Sequence, residues 1–327
     1  MDDDKVLSSK AYNNLTDEEK DVIKQNLATT IIQDDQADCE IKENGSSEYI
    51  SRIFSPTEAV MYLLQPITIL LENGVYDSYF IKALIRIYAQ GGRLQNFISN
   101  NWLRFGNGGG CTNMLTLLKS QVEFFGGKSK FMKVYVLVDS DKRYPSDNID
   151  KYGPLISYLT ETNIPYHILS KRSMENYLPE ESYDVFVKGR TRHEIEIWKN
   201  AYISLSAKQK DFLSISSGLN KDAKADDIEK RKIARKVRKA TNEKNKSALN
   251  IRLKLPKEER ELFSNVGDGN LIILSKGLPI GNFKKEFPKA FDHYSVNRKS
   301  MGKRAPSNPN SGENELQQII SEIEKLS

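Results

Sequence analysis

Cysteine is nearly absent from this chain: Cys39 and Cys111 are the two it has among 327 residues. Two thiols build neither a disulfide framework nor a zinc cluster, so a reducing, cytoplasmic setting is expected. Long apolar runs are missing too. No segment approaches the roughly 18 consecutive apolar residues of a membrane span, and the first residues do not resemble a signal peptide, so no membrane contact is expected. A phosphate-binding P-loop is also lacking. Gly127-Lys128-Ser129 looks like the tail of one, but Val122 stands where its first glycine belongs, and the segment precedes a strand instead of following one. No ATPase site is visible. Hydrophobic residues make up 38% of the chain and charged ones 28%, which leaves enough for a core but assigns much of the chain to surface.

The net charge of +5 conceals an uneven distribution. Residues 1–50 carry thirteen Asp/Glu against five Lys/Arg, whereas residues 219–260 carry fifteen Lys/Arg against seven Asp/Glu. The basic run includes Lys230, Arg231, Lys232, Arg235, Lys236, Arg238 and Lys239. Such a segment suits a polyanion, nucleic acid above all, although a solvated helix face has the same composition.

Thr16–Gln33 reads as a helix with Thr16 and Glu19 as its capping box, and Asp34–Ser47 as an acidic loop. From Ile67 strands and helices alternate. Ile67–Leu71 is a strand and Asp77–Tyr88 a helix with Phe80, Leu84 and Tyr88 on one face. A weaker strand in Trp102–Phe105 leads through a glycine run, 106–110, to a helix near Thr112–Phe125. Lys133–Val138 is a strand, Asp150–Thr162 a helix and Tyr166–Leu169 a strand. This order predicts an α/β fold with a mostly parallel sheet and helices on both faces. Four regions are expected: an acidic N-terminal region over 1–55, an α/β core over 56–180, a basic helical region over 181–293, and a polar linker with an amphipathic helix over 294–327. Asn270–Leu274 is expected as a strand or short buried segment. In the final helix Leu316, Ile319, Ile320, Ile323 and Leu326 share a face. A helix this short is marginal by itself, so it must dock on its own domain or on a partner, and the reach of the polar linker before it favours another subunit or a regulatory partner.

The chemistry is concentrated where strands end. Val134–Val138 is an apolar β-branched run of the kind buried on both faces, and it stops at Asp139 and Asp141. If extended geometry persists, side chains two apart leave the sheet on the same side. Two adjacent carboxylates repel unless a proton or cation lies between them, and magnesium suits an all-oxygen site; turn hydrogen bonding is the plainer use of such a pair. Glu72 follows the first strand at the same edge. Asp77 is placed for a helix N-cap or for a metal. The glycine run lets backbone N–H groups approach a phosphate, or merely connects two elements. Glu175 follows the last strand, either paired to Lys171 or Arg172 or free to bind a second metal.

Together these residues resemble the TOPRIM fold, particularly the nuclease branch of the OLD-family endonucleases and related stand-alone defence effectors. The resemblance covers about residues 66–180. It rests on Glu72, the glycine run, Asp139-Ser140-Asp141 and Met174-Glu175-Asn176-Tyr177-Leu178. It departs in the first motif, where Asn73 intervenes between Glu72 and Gly74 and moves Asp77 one residue too far along. The resemblance implies a Rossmann-like core and divalent-metal-dependent cleavage of DNA or RNA. The expected metal is Mg2+ or Mn2+, in a two-metal site held by Glu72, Asp77, Asp139, Asp141 and Glu175. It also implies a catalytic lysine in a Lys-Gly context, best matched by Lys276 of Ser275-Lys276-Gly277, with Lys284 and Lys285 as weaker matches, and a partner ATPase that restrains the nuclease.

On the residues alone two other classes stay open. An Asp-x-Asp nucleotide-sugar transferase needs neither Glu72 nor Glu175. A non-catalytic nucleic-acid-binding or assembly module needs the acids only as structure. An aspartate-nucleophile phosphatase fits less well, because Lys142-Arg143 follows the motif.

Overall fold

The structure, a computed structural model, describes residues 6–30, 40–44, 52–148, 150–187, 192–219, 228–240, 242–307 and 312–327. Its centre is a four-stranded sheet made of β3 (Ile67–Leu71), β4 (Leu103–Asn107), β5 (Val134–Val138) and β6 (Tyr166–Ile168), in the order β4-β3-β5-β6. Every pairing is parallel: Ile67 faces Leu103, Thr68 faces Val134, and Val136 faces Tyr166. The chain is therefore α/β, with helices on both faces of a parallel sheet.

Alternation along β5 explains why both faces are covered. Tyr135 and Leu137 point into one apolar cluster with Ile67, Ile69 and Leu71. Val134, Val136 and Val138 point into the other with Leu70. The helices Cys111–Phe124 and Gly153–Glu161 cover the second face through Met114, Leu118, Leu155 and Leu159. The helix Ser78–Tyr88 covers the first with Phe80, Ile81, Leu84 and Ile85 fully buried. A short helix, Arg93–Ser99, precedes β4 and buries Leu94; its single apolar anchor makes it hard to read from periodicity.

Several expectations change. Asn270–Leu274 belongs to a helix, Asp268–Leu274, because Leu271 and Leu274, three apart, both reach the core. An apolar run of five residues has no period long enough to separate strand from helix. The stretch 294–314 is not simply linker: Asn297 caps a helix, Arg298–Arg304, whose Met301 is fully buried. In the N-terminal region Thr16 and Glu19 do form the capping box, and the helix described is Asp17–Thr30. The predicted loop contains a two-residue strand, β1 (Glu40–Ile41), parallel to β2 (Ile53–Phe54); residues 31–39 and 45–51 lie outside the described residues.

The largest correction concerns the C-terminal helix, Glu315–Glu324. It docks on its own chain, against Ser78–Tyr88 and the sheet, not on a partner. Leu316, Ile319 and Ile323 have no accessible surface, and Ile320 and Leu326 almost none. Burying each such side chain contributes roughly 1.5–3 kcal/mol, which outweighs the marginal stability of the helix itself. The same continuous cluster includes Trp198 and Tyr202 from the helix Arg192–Ile203 and Phe287 and Phe291 from 283–292, so the core on this face of the sheet draws on segments from Ile67 to Leu326. Among the described residues no helix is long and apolar enough to cross a membrane.

Candidate functional site

The carboxyl ends of all four sheet strands open into one cavity of about 680 Å³. Such an edge is where ligands bind in open α/β sheets. Glu72 and Asp77 come from the segment after β3, Asp139 and Asp141 from the turn after β5, and Glu175 from the turn after β6; all five line the cavity. The opposite wall is built by Ser214, Ser216 and Ser217 and by Phe283, Lys284, Phe287 and Phe291.

The residue inserted in the first motif is absorbed locally. The Asn73 carboxamide oxygen accepts from the N–H groups of Val75 and Tyr76, both at 3.1 Å. The Asn73 N–H donates to Asp77 Oδ2 at 2.8 Å. Asp77 thus stands at the N-cap position of Ser78–Tyr88 without capping it, and its carboxylate turns back toward Glu72. Gly74 is required by close packing: a Cβ there would lie 2.7 Å from the Gly106 carbonyl oxygen. The glycine run serves the same junction. The N–H groups of Gly108 and Gly109 donate to the carbonyls of Leu71 and Glu72 at 2.7 and 2.9 Å, so these two are engaged and not free for a phosphate.

Asp139 and Asp141 reach the cavity by a route other than the one extended geometry suggests. β5 ends at Val138, and Asp141 has φ +55°, in the left-handed region. The turn is pinned by the Ser140 hydroxyl, which donates to the Lys171 carbonyl at 2.6 Å, and by the Asp141 N–H, which donates to the Arg172 carbonyl at 2.8 Å. Asp139 Oδ1 accepts from the Met174 N–H at 3.0 Å, tying the Asp139-Ser140-Asp141 turn to the turn that carries Glu175.

That turn, Met174–Tyr177, is held on several sides. The Asn176 carboxamide donates to the carbonyls of Lys210 and Leu213 at 2.7 and 2.9 Å. Arg304 donates to the Asn176 carbonyl at 2.7 Å, and the Tyr177 hydroxyl donates to Glu315. Neither basic neighbour is committed to Glu175. The Lys171 ammonium pairs with Asp211 at 2.6 Å, and Arg172 donates to the Phe212 carbonyl at 3.3 Å.

The electrostatics are those of crowded acids. Burial pushes the Asp139 carboxyl well above its ordinary range, and Glu175, Asp77, Asp141 and Glu72 add to the push. Asp77 is raised to about 7, chiefly by burial, with Glu175 and Glu72 adding and the Asn73 N–H and Lys284 opposing. Glu175 is raised by burial and by Asp141, against the Ser173 hydroxyl and Arg172. Excess negative charge in one place is the condition a divalent cation relieves.

The donor set is all oxygen, the chemistry of hard divalent ions. Among the described residues, however, no three His, Cys, Asp or Glu side chains are grouped to hold one ion as they stand. The hydrogen bonds explain this. Asp139 and Asp77 each hold a backbone N–H, Asp141 is paired with Lys151, and the Tyr152 hydroxyl lies 3.0 Å from Glu72 and 3.1 Å from Asp141, able to donate to either. The residues suit a metal chemically, and as they stand Asp141 Oδ2 is held by Lys151.

Lys276 is not part of the cavity lining. It is exposed on the loop that backs the Ser214–Gly218 wall, where Gly277 packs against the Ser216 carbonyl. Lys284, the weaker match, is the late lysine that lines the cavity. The basic run forms the helix Ile228–Lys239. Ile233 is buried, while Lys232, Arg235, Lys236, Arg238 and Lys239 are exposed; none lines the cavity. Lys230 and Arg231 belong to the same helix, with their side chains outside the described residues. Sequence reasoning missed Lys151 and Tyr152. They lie ten and eleven residues beyond Asp141 in a short 3-10 turn, Asp150–Tyr152, and nothing in their local pattern marks them.

No family model, no curated protein and no solved structure matches this chain.

Proposed function

We propose that this protein is a divalent-metal-dependent nuclease of the TOPRIM type, similar to the OLD-family branch, that hydrolyses phosphodiester bonds in DNA or RNA. The observation that carries the reading is the convergence of Glu72, Asp77, Asp139, Asp141 and Glu175, from three strand ends, on one cavity at the carboxyl edge of the sheet. The parallel sheet brings the strand ends to one edge, and what supports the reading is that the residues standing there are five carboxylates. Glu72, Asp139 and Asp141 would hold one Mg2+ or Mn2+ ion, and Asp77 and Glu175 a second. Such ions, when bound, supply an activated water and charge neutralisation at the scissile phosphate.

The chain's own residues supply the rest. Arg172 and Lys284 line the cavity beside the acids and offer positive charge to a phosphate there. Lys284 thereby takes the role first assigned to Lys276. Ser214, Ser216 and Ser217 line the cavity as well, their hydroxyls hydrogen-bonded to one another through Ser214. The exposed basic side chains of Ile228–Lys239 bind the backbone without reading bases. Regulation by a partner ATPase follows from the family resemblance.

The test is incubation of the pure protein with DNA, tRNA and total RNA in Mg2+, Mn2+ or EDTA. Metal-dependent cleavage that is lost in Asp139→Ala is expected. Binding without cleavage in any metal would favour a binding module, and retention of a sugar nucleotide would favour a transferase.

A further inference from the structure

Among the described residues, Lys151 is a cation paired directly with the carboxylate cluster that no motif accounts for. It sits on the Asp150–Tyr152 turn, and its ammonium pairs with Asp141 Oδ2, each side chain about half exposed (48% and 42%). The next residue, Tyr152, is fully buried, and its hydroxyl lies 3.0 Å from Glu72 Oε1 and 3.1 Å from Asp141 Oδ2. A phenol has one proton to give. It therefore satisfies one of these two oxygens at a time, and the pair stays short of positive charge. The Lys151 ammonium supplies that charge, yet on the solvent side and through a pair of the exposed kind that exchanges readily. Asp141 meanwhile occupies a left-handed turn that aims its carboxylate at Lys151. Among the described residues, no three acidic side chains are grouped about one ion position as they stand.

We propose that Lys151 is the built-in counter-cation of this cluster, and that it releases Asp141 when a divalent ion binds, while Tyr152 keeps Glu72 and Asp141 within reach of each other. This rests on the metal-dependent reading above. Lys151 is a positioning residue here, acting through Asp141. Its ammonium has no lone pair, so it neutralises the cluster without joining a metal's donor set. Removing it deletes a competitor of the ion; replacing it with arginine keeps the competitor.

Two measurements on the full chain test this. Mn2+ binding is followed by calorimetry for wild type, Lys151→Met, Lys151→Arg and, as a control, Asp139→Ala. The amine reactivity of Lys151 toward an acylating ester is followed by mass spectrometry with and without Mn2+. Lys151→Met is expected to bind Mn2+ about tenfold more tightly, the scale of one unit charge about 6 Å from a divalent ion in water-like surroundings. Lys151→Arg is expected to stay at or below wild-type affinity, and Lys151 in the wild type to acylate faster once Mn2+ is present. Tighter binding in Lys151→Met without any change in Lys151 reactivity overturns the release, because the charge then acts only through space. Binding that is identical in wild type and Lys151→Met overturns the inference and leaves the metal reading intact. No Mn2+ binding by the wild type overturns both.

Discussion

The Tyr177 hydroxyl donates to Glu315 Oε2 at 2.5 Å, joining residues 138 apart in the chain. Glu315 also takes the Ser170 N–H at 2.7 Å and His167 Nε2 at 2.8 Å. The first residue of the C-terminal helix therefore braces both β6 and the turn that carries Glu175. Burial pushes the Glu315 carboxyl up, but hydrogen bonds from His167, Tyr177 and Ser170 outweigh it and hold the group below its ordinary range. A depressed carboxyl contributes stability above its unfolded pKa and loses it as pH falls through its folded one. Glu315→Ala is expected to lower stability at neutral pH by on the order of 3 kcal/mol, since several buried donors lose their acceptor. Denaturant unfolding at pH 7 and at acid pH checks this. The wild type should lose more stability than the variant between the two, and parallel losses would remove Glu315 as the cause.

Deleting 306–327 removes five buried apolar side chains as well as this brace. The truncated protein is expected to lose cooperative unfolding and metal-dependent activity together. Circular dichroism on heating decides it: a truncated protein that melts like the full chain would show that the helix is dispensable to the fold.

Asp77 gives the opposite pH dependence. Its folded pKa of about 7 lies above the ordinary carboxylate value. The folded state therefore binds more protons, and its stability falls as pH rises from about 4 to about 7. In EDTA, Asp77→Asn should flatten this fall and melt higher than wild type at neutral pH. Added Mg2+ should stabilise the wild type at neutral pH by binding the folded state. A wild-type melting curve unchanged over this pH range in EDTA would refute the crowding.

Catalysis and stability should separate at the acidic residues. Asp139→Ala and Asp141→Ala are expected to reduce cleavage to background with the fold intact, because each deletion relieves repulsion in the metal-free protein. Glu175→Gln should lower turnover far more than nucleic-acid affinity. Wild-type cleavage by either aspartate variant would remove the site assignment, and equal losses of rate and affinity in Glu175→Gln would make Glu175 structural.

The exposed basic helix should be visible in salt dependence. Reversing Lys232, Arg235, Lys236 and Arg238 to glutamate should flatten the slope of log affinity against log salt, since each lost phosphate contact releases fewer counterions. An unchanged slope would identify the helix as a solvated face.

Much of this was written in local sequence. The β-branched run of β5, the apolar spacing of Ser78–Tyr88 and the Thr16–Glu19 capping box each follow from nearest-neighbour periodicity, and strand–helix alternation was enough for a parallel α/β sheet. The five acids were legible because each stands just beyond an apolar strand. Side-chain pairing was not. That Asp141 turns to Lys151, that Gly74 must pass the Gly106 carbonyl, that Lys284 and not Lys276 faces the acids, and that the last helix is an internal brace all depend on contacts between distant segments. Leu316, Ile319, Ile320 and Ile323 announce an apolar face, but a face says only that something covers it. The free surface of Ser78–Tyr88 and the sheet, created when the strands assemble, decided that the cover is this chain's own core.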